Sequence, residues 1–183
     1  MSLDPQMREA MLAAVPSLRA FAISLCGNVD RADDLVQEAL LRALSNIESF
    51  EPGTNMPAWL FTILRNQFRS EYRKRRREVE DANGKYAENL KSVPEQPGQI
   101  EFAEFRRALQ HLPPDQREAL ILIGASGFSY EEAAKICGCA VGTIKSRVNR
   151  ARTRLSEMLA IQGAEDIGPD AETRSVLTGT DPG

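Results

Sequence analysis

Five cations, Lys145, Arg147, Arg150, Arg152 and Arg154, lie between Ala140 and Ser156 with no acid among them. Guanidinium forks can bond guanine edges at two points, and a carboxamide can do the same with adenine. A face built from Lys145, Ser146, Asn149 and Arg150, flanked by Thr143, Arg147 and Arg154, therefore has the groups needed to read bases. On another face Ile144, Val148, Ala151, Leu155 and Leu159 recur at three-four spacing, which predicts a helix with one buried stripe. Upstream, residues 129–136 predict a shorter helix, joined to the basic one by Cys137-Gly138-Cys139-Ala140. Helix, tight turn and basic helix is the layout of a helix-turn-helix, whose second helix enters the DNA major groove. The plainer reading is a solvated basic helix on an ordinary bundle, and the acid-free face after a Gly-containing turn weighs against it.

A second basic block interleaves rings with cations. Trp59, Phe61, Phe68 and Tyr72 alternate with Arg65, Asn66, Arg69, Arg73 and Lys74, and the block ends in Arg73-Lys74-Arg75-Arg76-Arg77. Single-stranded DNA is bound this way, with bases stacked on rings and phosphates on charges. Phe61, Leu64 and Phe68 share one helical face and are better read as core. Trp59, near a loop, is the better candidate for a ring that meets DNA.

Other constellations are weaker. Asp34, Gln37, Glu38 and Arg42 form the polar face of an amphipathic helix whose periodicity names no partner. Cys137, Cys139 and His111 fall short of the four ligands of a structural zinc site, so no metal is expected. No Ser/His/Asp arrangement, phosphate-cradling glycine loop or metal-spaced carboxylate cluster is present, which leaves no cofactor and no residues to carry an enzyme.

The elements that position these groups all read as helical. Pro5 and Pro16 each suit a first helical turn, with Met11, Leu12, Val15, Leu18, Ala22 and Leu25 periodic up to Gly27. Asp30 is placed to cap the next helix, which fades near Ser45. Residues 48–55 read as loop, and Pro57 opens the aromatic-basic helix. Residues 78–100 lose periodicity and gain Asn83-Gly84, Pro94, Pro97 and Gly98, as a flexible linker does. Periodicity resumes at Ile100, breaks at Pro113-Pro114, and continues from Asp115 as a cap. Residues 162–183 are acidic and poor in apolar side chains, and are expected to be disordered. The expected fold is all-α, with two small helical domains joined by that linker.

The chain has 183 residues and a formal net charge of −3, which alone does not suggest a nucleic-acid binder. Charge is segregated, however. Residues 65–77 carry seven basic side chains against Glu71, while residues 1–51 carry eight acidic against four basic. Local fields guide encounter with DNA, so the basic blocks count for more than the total. The N-terminus lacks a basic start followed by an apolar stretch, and no apolar run approaches the ~20 residues that span a bilayer. Three cysteines without a disulfide framework fit a reducing compartment. The expected location is cytoplasmic, with no membrane partner.

Taken together the motifs resemble the extracytoplasmic-function sigma factors of the sigma-70 family. Asp33-Asp34-Leu35-Val36-Gln37-Glu38, the loop over 50–55, Pro57-Ala58-Trp59-Leu60-Phe61-Thr62-Ile63 and the basic helix end resemble conserved region 2. Leu112-Pro113-Pro114-Asp115-Gln116-Arg117-Glu118, Tyr130-Glu131-Glu132-Ala133-Ala134 and Val141-Gly142-Thr143-Ile144-Lys145-Ser146-Arg147 resemble region 4. The spelling is most similar to the general-stress-response group of alphaproteobacteria. The likeness implies region 2 over 1–77, a linker over 78–100, region 4 over 101–161 and a tail over 162–183.

It also implies roles. Asp34, Gln37, Glu38, Leu41 and Arg42 would dock on the coiled-coil clamp of the β′ subunit of core RNA polymerase. The loop over 49–56, with Phe50 and Asn55, would receive a base flipped from the −10 element. Trp59, Arg65, Asn66, Arg69, Arg73 and Lys74 would hold the melted strand. Thr143, Lys145, Ser146, Arg147, Asn149, Arg150 and Arg154 would read the −35 element as duplex, and region 4 would also meet the β flap. Such factors are commonly held by an anti-sigma factor, in this group a small helical inhibitor. Two rival readings stand beside this one: a sigma mimic that titrates an anti-sigma factor, and a stand-alone helix-turn-helix regulator that binds an operator. A mimic has no need of DNA-contacting charge, and an operator binder leaves the first half unexplained.

Overall fold

The computed structural model describes residues 3–81 and 100–159, and among them every regular element is helical. Helix α1 (Pro5–Cys26) starts with Pro5 where a missing N–H is harmless and stops at Gly27, whose φ of 68° is left-handed. An added side chain there would also meet Gln110, 3.0 Å away. Pro16 opens no helix of its own but sits inside α1, at the loss of one rung of its hydrogen-bond ladder. Helix α2 (Val29–Ser45) is capped by Asn28, whose side chain accepts from Arg31 N at 3.0 Å. The expected cap, Asp30, instead lies in the first turn, where its charge favours the helix dipole.

A 3-10 turn over Ile47–Ser49 leads to the loop before α3 (Met56–Asp81). Asn55 starts α3 by accepting from Ala58 N at 3.1 Å. The helix runs past the basic cluster to Asp81, so the 77/78 boundary falls within it. Helix α4 (Ile100–His111) is followed by α5 (Pro114–Gly124), which is capped by Pro113 with no side-chain bond; Asp115 lies in its first turn. Helix α6 (Tyr130–Cys137) opens with a full capping box: Ser129 and Glu132 each satisfy the other's backbone N–H. Gly138, at φ 65°, ends it, and α7 (Val141–Met158) begins after Ala140.

The N-terminal core joins Leu18 and Phe21 of α1 to Leu35 and Ala39 of α2 and to Leu60, Phe61 and Leu64 of α3, all buried. The C-terminal core joins Leu122, Ile136, Ile144, Val148 and Leu155. The two meet as one continuous core: the Phe21 and Phe61 rings stack at 4.9 Å, and Phe128 packs edge-on to Phe61 at 4.9 Å. Most of the expected linker, and all of the expected tail, lie outside the described residues. Helix α1 is long enough and, at a mean hydropathy of 1.4, apolar enough on average to cross a membrane, although Arg8, Glu9 and Arg19 leave no unbroken apolar run of that length. Six of its residues form the bundle core, which accounts for part of that apolarity.

Candidate nucleic-acid and polymerase interfaces

Helix α7 buries Ile144, Val148, Ala151 and Leu155 and turns Lys145, Asn149, Arg150 and Arg154 to solvent. Those four make an outward polar row, the position that amphipathic spacing gives them. Thr143 and Ser146 are half-buried, and Ser146 Oγ donates to Thr143 O at 3.2 Å. Lys145 Nζ stands 5.7 Å from the Tyr130 ring centre. Arg147 points elsewhere: its Nε lies 3.5 Å from Asp115 of α5 and its Nη1 is 3.8 Å from Cys139 Sγ. It braces the helix pair from the side of the row.

On α3, Trp59 is half-buried and packs at 5.2 Å on Phe50, which is itself buried. Phe50 thus supports Trp59 and offers no free ring face. Phe61 and Phe68 are core, as their spacing predicts, and Tyr72 is half-buried beside Phe68 at 6.2 Å. Beside Trp59 lies an open depression of about 350 Å³, lined by Arg42, Asn46, Ser49, Trp59, Ile63, Asn66 and Gln67. Gln67 is buried; its amide reaches Glu71 at 3.4 Å while its Oε1 has no partner. A ring and the exposed polar groups of Arg42, Asn46, Ser49 and Asn66 around one hollow suit a nucleobase, while Gln67 Oε1 is buried beneath them. Farther along, Arg73 and Lys74 are exposed, with Arg73 Nε donating to Arg69 O at 3.3 Å.

Arg65 and Arg69 are half-buried, and both close on Glu118 of α5. Arg65 donates to Oε1 at 3.1 Å and to Oε2 at 3.2 Å; Arg69 donates to the same oxygens at 2.9 Å and 3.3 Å. Glu118 has no exposed surface. Burial, the largest single influence, pushes its carboxyl up, but the hydrogen bonds and the positive charges of Arg69 and Arg65 together outweigh it and hold the group below the ordinary range. The loop is tied in parallel, for Asn55 Nδ2 donates to Glu132 Oε1 at 3.1 Å.

Helix α2 exposes Asp34, Gln37, Glu38, Leu41 and Arg42 along one face. Leu41 is 64% exposed and Leu44 46%, which is unusual for two large apolar residues on one short helix. Glu38 and Arg42 pair at 3.3 Å on that surface, an exposed contact of little energetic weight. The three cysteines are free thiols, and among the described residues no cluster of metal ligands occurs.

Sequence reasoning did not single out Asn46, Ile63 or Gln67 around the depression, nor Glu118 and Glu132 as partners of the α3 arginines and the loop. Asn46 and Gln67 carry no periodic signal of function. Glu118 stands 53 residues from Arg65, and no local pattern reports a contact at that distance.

A three-helix unit with an aromatic-basic helix, followed by a helix-turn-helix unit, defines the sigma-70 type of promoter-binding protein. The Sigma-70 region 2 family matches residues 11–78 and the Sigma-70 region 4 family matches residues 102–155. The ECF RNA polymerase sigma factor EcfG of Rhodopseudomonas palustris (strain TIE-1) is 72% identical over 179 residues, covering 98% of this chain and 99% of that protein. The chain belongs to the extracytoplasmic-function sigma factors. It is an RNA polymerase sigma factor, which binds core polymerase and promoter DNA to direct initiation; RNA synthesis is the polymerase's reaction.

Among solved structures, the sigma factor RpoE in complex with the anti-sigma factor NepR from Bartonella quintana is 54% identical, with a TM-score of 0.80 over 87% of this chain and all of that one. The anti-anti-sigma factor PhyR complexed with NepR from the same organism is 19% identical, with a TM-score of 0.56 over 82% of this chain and 49% of that one. That second likeness shows a shared fold.

Proposed function

We propose that this sigma factor serves a stress regulon in the cytoplasm and is held inactive by a small helical anti-sigma factor. The complex of the 54% identical RpoE with NepR supports the inhibitor. In the proposed division of labour, Thr143, Lys145, Ser146, Asn149, Arg150 and Arg154 read the −35 duplex, with Arg147 at their edge. The depression beside Trp59 takes a base extruded from the −10 element, with Asn66 and Asn55 near it. Arg65, Arg69, Arg73 and Lys74 hold the strand's phosphates, and Phe50 backs Trp59. Asp34, Gln37, Glu38, Leu41 and Arg42 dock on the polymerase clamp. Extruding a base costs a few kcal/mol, which stacking of about 1–3 kcal/mol and hydrogen bonds can offset.

One observation carries the reading: three faces with different chemistry are exposed on one chain, a basic row on α7, a ring-lined hollow on α3 and an apolar-acidic strip on α2. An anti-anti-sigma mimic shares the fold but needs only the surfaces an inhibitor grips. The solvent-facing Arg150, Arg154, Arg73 and Lys74 favour a DNA-binding sigma factor over it.

Reconstitution tests this. Purified protein, core polymerase and promoter DNA from stress-induced genes should yield specific transcripts, and addition of the inhibitor should abolish them. Absence of sigma-dependent transcripts from every such promoter would refute the regulon. Transcription that a NepR-like protein leaves untouched would refute the inhibitor.

A further inference from the structure

Arg65 and Arg69 lie one turn apart on α3, and each directs its guanidinium fork at both oxygens of one buried carboxylate. Two forks on two anionic oxygens is the arrangement that guanidinium groups make with a phosphate. The same helix continues outward through Arg73 and Lys74, which are solvent-exposed. In the row that suits a strand's backbone, the first two cations are therefore covered by an acid from the other half of the chain.

We infer that Glu118 is an internal stand-in for a phosphate of the melted strand, so that closure of the two halves and strand binding exclude each other. The inference rests on the reading that Arg65 and Arg69 hold that strand. Opening without DNA would release two arginines and a carboxylate from close pairing, which is costly. Opening onto DNA exchanges partners: the arginines take a phosphate, and Glu118 takes water. A ligand shifts an equilibrium by its differential affinity for the two states, and here that difference is built into one pair of arginines.

Two further contacts close the same state. Asn55, on the loop that would meet the −10 element, is held by Glu132 of the α6 capping box at 3.1 Å. Phe128 packs edge-on against Phe61 of the same helix α3. Region 4 thus meets the two arginines and the loop at once.

The full chain can be tested for binding to a dye-labelled single-stranded oligonucleotide of mixed sequence by anisotropy at low salt, with its radius of gyration from X-ray scattering. Glu118→Gln keeps the shape and removes the charge. It should enlarge the radius and tighten strand binding on the order of tenfold, as expected when a binding-competent state rises from a minor population. Adding Arg65→Ala and Arg69→Ala should cancel the gain. Should Glu118→Gln melt out, Phe128→Ala loosens the same closed state from another point and carries the same expectation.

Unchanged affinity in a folded Glu118→Gln or Phe128→Ala protein would overturn the inference, as would a gain that survives loss of both arginines. Promoter opening with core polymerase separates this failure from failure of the underlying reading. If Arg65→Ala/Arg69→Ala cannot open a promoter while Glu118→Gln gains nothing, the arginines hold the strand and the stand-in is wrong. If the double variant opens promoters as wild type does, the assignment of the arginines falls and the stand-in falls with it.

Discussion

Arg117 of α5 donates from Nη1 to the main-chain carbonyl of Leu25 at 2.8 Å, joining the second half of the chain to the end of α1. The same guanidinium bonds Gln110 Oε1 at 3.0 Å, Gln110 O at 3.2 Å and Leu112 O at 3.1 Å. Gln110 in turn donates to Ser24 O at 2.8 Å. Neighbouring residues on α5 thus do different things: Arg117 satisfies carbonyls at a helix end, while Glu118 engages the guanidinium groups of Arg65 and Arg69.

Arg117→Ala should destabilise the folded chain by about 2–4 kcal/mol, because buried carbonyls lose charge-assisted donors that are worth about 1.5–3 kcal/mol each before water returns. Arg117→Lys should recover only part of this, since an ammonium cannot match the planar fork. Chemical denaturation followed by circular dichroism measures both. A change within about 0.5 kcal/mol for the Ala variant would contradict the assigned role.

Much of this architecture was legible in the sequence because helix periodicity and capping are local. The α7 stripe and the breaks at Gly27 and Pro113 all follow from neighbours within one or two turns. Errors arose where two local signals competed. Asn28 and Asp30 could both cap α2, and the earlier residue takes the position; Pro16 reads as a start signal but is carried inside α1 by the apolar face around it. The site was legible as chemistry rather than as geometry. Arg65 and Arg69 read as phosphate contacts, yet which anion they meet depends on Glu118, a residue remote in sequence.

On α7 the exposed and braced cations should separate in experiment. Arg150→Ala should weaken −35 duplex binding by about 1–3 kcal/mol if it reads a base edge, with core-polymerase affinity unchanged. Arg147→Ala should cost less binding and more stability, because Arg147 is tied to Asp115 at 3.5 Å. Anisotropy on promoter duplex and thermal melts of both variants measure the contrast. The opposite ranking in both assays would show that Arg147 swings away from Asp115 to read DNA.

Leu41→Asp places a charge on the most exposed apolar residue of α2 and should leave the melting temperature unchanged, since the side chain is 64% exposed. Affinity for core polymerase should fall by about 2 kcal/mol or more, as for an interface anchor. Competition against a labelled sigma factor measures it. Wild-type affinity would remove this face from the polymerase contact.

Cys26 and Cys137 should be slow to react in the folded state. Burial pushes Cys26 up to about 11, and burial followed by the charge of Glu118 pushes Cys137 up to about 12, from an ordinary value near 9. The thiolate is the nucleophile, so alkylation at pH 8 should be on the order of a hundredfold slower at Cys26 than in urea, and slower still, on the order of a thousandfold, at Cys137. Mass spectrometry of iodoacetamide-treated protein reads each site. Rapid alkylation of Cys137 in native buffer would mean that α5 and α6 separate readily.

Closure of the two halves should be indifferent to pH across the neutral range and fail only in acid. Glu118 faces Arg65 and Arg69 from α3 and Cys137 from α6, and Asp115 on its own helix adds to the field on Arg69. Its carboxyl is held below the ordinary value of 4.5, so the closed state binds fewer protons than the open one in that range. By linkage its contribution is fully present above the ordinary glutamate range and is lost as pH falls through the lowered value. Arg69, pushed up by Glu118 against the effect of burial, stays charged throughout, and the Cys137 thiol stays protonated. The radius of gyration should therefore be constant between about pH 6 and pH 8 and rise only below the ordinary carboxylate range. In Glu118→Gln that acid step should vanish, leaving only general acid unfolding. Expansion near neutral pH in the wild type would assign the switch to another group and contradict the place given to Glu118.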